Sequence, residues 1–562
     1  MLFRSGPVGD GAVRNLLVPL AGRVGSGGIV LGARCTPVRF DALQVGAVAL
    51  GPTRLPLCPD GPGLIWSDGG RVRAAALIEA PRLRGTIGAT PAEVAAARLR
   101  VTPAGFESRT VDLALGPHRL AAASLDGRFT AAGIAGRFAG TEARLANVPL
   151  RVDEGAGSWT LAGGRLRLDG SLRVSDTAEA PRFHPLVSRD FALTLAGNRV
   201  EAAAWLDDPE TGTRVTRATV AHDLAAGRGR AELDVPGISF GPDYQPDQLT
   251  RLTTGVVALV NGTVAGRGEI AWGPDGVTSS GRFGTADMDL AAPFGPVEGL
   301  ATSVQFIDLL GLVSAPGQEA RVALVRTGID VYDGVVRYQL LPDLRVRVEA
   351  GRWPFAGGEL LLRETVLDFA EGSEKRLTFD VRGLDAARFI ASMEFENIAA
   401  TGTFDGVVPM IFDRSGGRIE GGRLAARAEG GTLSYIGALT DRELGAYGKL
   451  AFDALKALRY SKLDIALDGS LDGEFVAGIE LDGIAREAAN PGGIAGYVIG
   501  QLAKIPFEFN INVRGPFRAL LATARSLEDP SLLIQDVLPQ EIRDAAALTT
   551  SVQTRESEEV RE

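Results

Sequence analysis

Alternation with a period of two runs through most of this chain, and it narrows the possible folds more than any other feature. In "LRVRVEA", Leu344, Val346, Val348 and Ala350 point one way and Arg345, Arg347 and Glu349 the other. In "KLDIALDG", Leu463, Ile465 and Leu467 oppose Asp464 and Asp468. In "EFVAGIELDG", Phe475, Ala477, Ile479 and Leu481 oppose Glu474, Glu480 and Asp482. In "FEFNINVRG", Phe507, Phe509, Ile511 and Val513 oppose Glu508, Asn510, Asn512 and Arg514. Successive side chains of a strand leave on opposite faces, so each segment has one apolar and one wet face. That pattern suits antiparallel sheet with one solvated side.

Asp-Gly pairs sit between apolar residues at "LDGRF" (Leu125–Phe129), "LDGSL" (Leu168–Leu172), "LDGSL" (Leu467–Leu471) and "LDGEF" (Leu471–Phe475). Type I′ turns need positive φ at both central positions, which Asp-Gly tolerates, so these pairs predict hairpins. The expected fold is mainly β: an antiparallel sheet of repeated hairpins with a few short capping helices. Sandwiches, a barrel or a long curled sheet would each hide the apolar faces. Helical spacing is clearest over Leu439 to Leu458; Asp385 to Phe395 and Gln305 to Val313 are shorter candidates, followed by Tyr497 to Ala503 and Pro530 to Ala547. The expected division is residues 1–300 as the first part of the sheet body, 301–525 as a second β domain with helices, and 526–562 as a helix and acidic tail.

Glycine is 72 of 562 residues, above the usual share of about 7%, with no Gly-X-Y period, which speaks for many turns. The net charge is −10 and no dense basic patch stands out, which disfavours nucleic acid as a partner. No apolar run reaches the length of a membrane span. The start, "MLFRSGPVGDG", is not a secretory signal, and the strand-like "GGIVLGARC" follows so soon that the natural beginning is expected to lie upstream. Cys35 and Cys58 either bridge neighbouring strands in an oxidising compartment or remain two reduced, half-buried thiols.

Chemistry-bearing motifs are missing. His118, His184 and His222 stand apart, and no His or Cys pair has metal-ligand spacing, so no metal and no cofactor is expected. G-x-S-x-G and the P-loop pattern are absent. The glycine clusters Gly22–Gly28 and Ser415–Gly422 lack the following helix that a phosphate cradle needs, and read as turns. An enzyme is not expected.

Three blocks carry a family resemblance. "GVVRYQLLPDLRVRVEAGRWPFAGGELLLRETVLDF" (Gly334–Phe369) and "GTFDGVVPMIFDRSGGRIEGGRLAARAEGGTLSY" (Gly402–Tyr435) resemble the YdbH family of the AsmA-like superfamily. The segments from Leu463 to Leu521 look like that family's closing strands, and the best match spans about residues 305–521. The resemblance implies a periplasmic protein, anchored in the inner membrane by an N-terminal helix not present here. It implies an elongated, curled, groove-like antiparallel sheet, phospholipid carried towards the outer membrane through its apolar groove, and an outer-membrane lipoprotein as a partner. On this reading the groove candidates are Val346, Val348, Ile465, Leu467, Phe475, Ile479, Phe507, Phe509, Ile511 and Val513. Trp353, Pro354, Phe355, Gly357 and Gly358 make a structural corner: Pro354 lacks a ladder donor and the glycines permit a tight turn. Trp353 and Phe355 either pin that corner or touch acyl chains. The alternatives are an envelope assembly module that adds strands to a partner, and an accessory protein of dicarboxylate transport. The latter lacks the convergent basic pairs a carboxylate site needs.

Overall fold

The alternating pattern becomes strand almost everywhere. The computed structural model describes residues 5–8, 11–25, 28–68, 70–144, 150–254, 256–292, 295–326, 330–370, 373–392, 398–413, 416–435, 458–470, 474–482 and 509–516. Strand makes up 74% of it and helix 3%, and the main antiparallel sheet does not close into a barrel. The chain divides into two units. The first comprises Met1–Ile238, Asp247–Arg251 and Ala265–Gly281; the second comprises Ser239–Pro246, Leu252–Val264 and Arg282–Glu562.

The first unit is a meander of long strands. Thr90–Thr102, Gly105–Leu115, His118–Thr130, Gly133–Arg144, Leu150–Ala162, Arg165–Asp176, Leu186–Ala196, Arg199–Asp207, Arg214–Asp223 and Arg228–Phe240 each pair antiparallel with the next. Gly163 and Gly164, with φ of 55° and 73°, make the two-residue turn between Leu150–Ala162 and Arg165–Asp176. Upstream, Thr36–Phe40 pairs with Thr53–Pro59, and a disulfide joins Cys35 to Cys58 beside them. This settles the question the two cysteines left open and fits an oxidising compartment. A separate four-stranded sheet is made by Gly22–Gly25, Gly28–Leu31, Ile65–Asp68 and Arg71–Ala74.

In the second unit, Gln318–Arg326, Asp330–Leu341, Arg345–Phe355, Gly358–Leu362, Lys375–Asp385, Thr403–Asp413, Gly416–Ala426, Lys462–Ser470, Glu474–Asp482 and Phe509–Pro516 follow one another across the sheet. The helix Ala386–Ser392 starts where Asp385 Oδ1 accepts the Arg388 amide proton at 2.9 Å, an N-cap. That helix and a small sheet of Ile398–Ala400, Gly431–Tyr435 and Leu458–Tyr460 contribute to a packed cluster. Val381, Leu384, Ala386, Phe404, Phe412, Leu424, Tyr460 and Leu463 are buried there, with Phe355 and Phe389 against them.

Three expectations change. Gln305 to Val313 is not a helix: the strand Ala301–Asp308 ends in a turn and Val313–Ser314 follows. Asp308 Oδ1 accepts the Gly311 amide proton at 3.0 Å, holding that turn, so the apolar residues on either side belong to two strands. The helix expected over Asp385 to Phe395 is present as Ala386–Ser392. Leu439 to Leu458 falls outside the described residues except for Leu458, as do Tyr497 to Ala503 and Pro530 to Ala547.

The Asp-Gly pairs are the second correction. Asp126-Gly127, Asp169-Gly170 and Asp468-Gly469 lie inside strands, not at turns; Asp472-Gly473 lies outside the described residues. Two of these aspartates accept a backbone proton from the neighbouring strand. Asp126 Oδ1 takes it from Arg137 at 3.2 Å and Asp468 Oδ1 from Gly421 at 2.6 Å. Asp405, in another Asp-Gly pair, does the same for Gly383 at 2.7 Å. Gly383 and Gly421 sit at register shifts with φ of 66° and 68°, where the ladder cannot satisfy their N–H groups. The aspartate replaces the missing carbonyl. Likewise the cluster Ser415–Gly422, read as a turn, is mostly the strand Gly416–Ala426 with Gly421 at its bulge.

Candidate functional site

Register turns the alternating residues of each strand into rows that cross the sheet. In the first unit one row runs Phe129, Ile134, Leu161, Leu166, Leu195, Val200 and His222. A second runs Trp159, Leu168, Leu193, Ala202, Val220 and Ala231. A third runs Val94, Leu113, Leu120, Ala143, Val152, Val174 and Leu186. Residues one step away along the strands are mostly polar, as in Thr160, Arg167, Thr194, Glu201 and Arg230, with Ala221 the exception in that row. At about 4.8 Å per strand, the first row extends about 30 Å across the sheet.

This apolar face is only partly covered. Trp159, Leu186 and Leu195 are buried, but Leu113, Leu120, Leu161, Leu166, Leu168, Leu193 and Val200 are all half-buried, and Phe129 is 47% exposed. A glycine seam crosses it. A Cβ on Gly136, Gly157 or Gly170 would stand 1.9 to 2.1 Å from a carbonyl oxygen of the next strand, an approach only glycine permits. Phe106 and Trp159 lie over Gly127 and fill the space its side chain lacks. The Trp159 indole N–H donates to the Asp126 carbonyl at 2.9 Å.

The second unit has comparable rows. Trp353, Leu360, Val381, Gly406, Leu424, Ile465, Ile479 and Ile511 stand in one row. Leu467, Ala477 and Val513 form another; Leu463, Leu481 and Phe509 a third; Phe475 pairs with Gly469 and Gly515. So the structure brings Ile465, Ile479 and Ile511 into one row, with Leu467, Phe475, Phe509 and Val513 on the same three strands. Ile465 and Leu467 pack against the buried cluster. Phe507 lies outside the described residues. Val346 and Val348 stand apart, on Arg345–Phe355, beside Leu340 and Leu367 and beside Tyr338 and Thr365; Val348 is buried.

The stretch Trp353 to Gly358 is a hairpin. Ala356 and Gly357, with φ of 44° and 82°, form its two-residue turn, and Phe355 pairs with Gly358. Pro354 is exposed opposite Glu359. Trp353 lies across Gly334 and Gly351 and meets Phe379 edge-on at 6.1 Å, while Phe355 meets Phe389 at 6.0 Å.

The histidines are not all isolated. His118 and His222 come together with ring centroids 6.5 Å apart, and His222 stacks on Trp272, whose indole N–H donates to His222 Nδ1 at 3.2 Å. Burial lowers the pKa of both, and for His222 the neighbouring His118 lowers it further. A cleft of about 580 Å³ adjoins His222 and Trp272, walled by Arg199, Asp223, Arg228, Arg230 and Glu269. Its arginines are engaged with carboxylates: Arg199 with Glu201 at 2.7 Å, Arg228 with Asp275 at 3.0 Å, Arg230 with Glu232 at 3.4 Å. Among the described residues no three His, Cys, Asp or Glu are grouped to hold a metal ion, and no helix is long and apolar enough to cross a membrane.

The YdbH-like family model, described as intermembrane phospholipid transport protein YdbH, matches residues 39–538. The chain belongs to the YdbH-like family. The match reaches far upstream of residue 305, where the best match expected from the sequence begins, and takes in both units. Comparison with curated proteins and with solved structures finds no match. YdbH-like proteins are a family of lipid transport, not an enzyme family, and their cargo class is phospholipid. Transport between membranes places the family's work in the cell envelope.

Proposed function

We propose that this chain carries phospholipid between two membranes by lying acyl chains along the apolar face of its sheet, with no covalent chemistry. The observation that supports this most is the set of contiguous apolar rows in the first unit, wide, in register and half-buried. An apolar face of that extent is a binding surface in its own right. Each methylene moved from water to such a surface gains about 0.8 kcal/mol, so a dozen gain on the order of 10 kcal/mol without a polar contact. An acyl chain reaches across half of a hydrocarbon core of about 30 Å, which one row accommodates. In the second unit we assign the same role to Ile465, Leu467, Phe475, Ile479, Phe507, Phe509, Ile511 and Val513, with Val346 and Val348 on the earlier strands. The rows support this, because register continues the face from strand to strand. On the same reading the chain works in the periplasm, tethered to the inner membrane and meeting a lipoprotein at the outer one; kinship supports that, not a feature of the strands.

The test is native mass spectrometry of the purified chain with lipid extraction from the same sample. Copurifying phospholipid is expected, and Leu168→Asp with Leu193→Asp removes it while circular dichroism keeps the strand signal. A folded wild-type chain that carries no phospholipid and takes up none when it is added refutes the reading.

A further inference from the structure

The small four-stranded sheet of the first unit has a chemistry unlike the rest of the chain. Its edge strands Gly22–Gly25 and Arg71–Ala74 are exposed almost throughout. Val24 is 76% exposed and Val72 66%, the two highest values among the large apolar side chains of the described residues. Register places them in one row with Ile29 and Ser67 between, and the next row on that face is Gly22, Leu31, Ile65 and Ala74. This face is therefore apolar apart from Ser67, whose hydroxyl accepts the Ile29 amide proton at 2.8 Å. The opposite face is occupied: Trp66 lies over Gly61, and Val30 lies beside Gly63. Arg23 and Arg73 alternate with the exposed valines on the two edges, and Arg71 ends one of them, all exposed.

Charge points the same way. The chain as a whole carries −10, yet residues 11–75 hold seven arginines, three aspartates, no lysine and no glutamate, a net of +4. Arg23, Arg71 and Arg73 leave the edge strands by the other face, but their side chains are long enough to reach round an exposed edge, so an apolar face with basic edges fits an interface where headgroup phosphates meet acyl chains. The disulfide between Cys35 and Cys58 joins the segments next to this sheet, which limits how far it can move when it docks.

We propose that this sheet is a docking surface for a membrane of anionic phospholipid. The proposal deepens the transport reading and rests on it, since a carrier of phospholipid must meet a bilayer to load or unload.

The experiment is cosedimentation of the full chain with vesicles of phosphatidylcholine alone and of equal parts phosphatidylcholine and phosphatidylglycerol. Binding to the anionic vesicles is expected, falling as salt is raised. Arg23→Glu with Arg71→Glu should weaken it by about 25-fold, at roughly five-fold per arginine. Val24→Ser with Val72→Ser, a milder change to the fold, should weaken it several-fold with the salt dependence unchanged. Arg267→Glu, on an exposed residue paired with Asp234, should leave it unaltered. Equal binding to both vesicles, or full binding by both edge variants, overturns the proposal. Lipid extraction separates it from the transport reading: edge variants that lose vesicles but keep copurified phospholipid support docking. A wild type that binds anionic vesicles but never holds phospholipid leaves the docking intact and removes the transport.

Discussion

The two units carry apolar rows of the same design and finish them differently. In the second, the helix Ala386–Ser392 and the strand Leu458–Tyr460 join a cluster in which Phe404, Val381, Leu463 and Tyr460 are at most 5% exposed. In the first, the rows from Phe129 to His222 and from Trp159 to Ala231 are mostly half-buried. The same alternation thus gives a core where a helix and a small sheet pack on it and a mostly half-buried face in the first unit. Binding capacity follows from packing, and the stability of the two regions should separate accordingly.

The largest expected effect tests that separation directly. Phe404→Ala in the buried cluster should cost about 4 kcal/mol, transfer plus cavity. Phe138→Ala on the half-buried face should cost less, because part of its area stays in water in the folded state and the cavity left is open to solvent. Hydrogen exchange of Thr403–Asp413 and of Gly133–Arg144 measures each locally; equal costs would mean that the first unit's face is as well packed as the second's.

Next comes the covalent brace. Both cysteines of the chain lie in the first unit. Cys35→Ser with Cys58→Ser opens a loop with a sequence separation of 23, a loss of about 3 kcal/mol. Exchange should rise in Thr36–Phe40 and Thr53–Pro59 and stay fixed in Thr403–Asp413. Faster exchange in the second unit would show the two to be one cooperative body.

The in-strand aspartates should behave alike in both. Asp126→Ala leaves the Arg137 amide without its partner, and Asp405→Ala the Gly383 amide, each costing about 1 to 2 kcal/mol. Asp405 also receives Arg427 at 2.8 Å; that hydrogen bond first, then the Gly383 amide, holds its carboxyl below the usual range. Its share of the stability is present above the unfolded pKa and is lost as pH falls through the lowered folded value. Asp405→Asn restores an acceptor oxygen but not the charge, so it should recover part of the loss; no recovery would assign the whole effect to the ion pair.

These aspartates also mark where the sequence misleads. Alternation identifies strands because period two is a local property, and it correctly predicts a mainly β, antiparallel fold. Asp-Gly is local too, but its meaning depends on the facing strand: at Asp126 and Asp468 the partner needs an acceptor, so the pair stays in the ladder. The rows were half legible. Ile465, Ile479 and Ile511 share a face by parity, but only register sets them side by side, and register depends on the bulges. The first unit's rows carry no motif at all, since leucine, valine and alanine on alternate positions look alike in any sheet. His118 and His222 lie on strands with five others between them and come within 6.5 Å because the sheet curls those strands together, which no spacing rule encodes.

The smallest effect sets the two units at opposite ends of the pH scale. Burial pushes the Tyr460 pKa from 10.0 up to about 12, and its hydroxyl donates to the Thr401 carbonyl. The folded state holds that proton more tightly, so the second unit should keep its stability below pH 10 and lose it as pH rises from 10 to about 12. His118 and His222 are shifted the other way, below 6.5, chiefly by burial, with Asp223 partly offsetting the shift at His222. The unfolded chain binds their protons first, so the first unit should be steady above pH 6.5 and weaken as pH falls through the lowered folded values. Calorimetric melting of the whole chain across both ranges measures the two arms. His222→Asn should shrink the acid arm and Tyr460→Phe the alkaline one, where Tyr338, also raised by burial, keeps a share. If either substitution moves both arms together, burial in the two units is not independent, and the half-buried face is held by the same cooperative folding that holds the buried cluster.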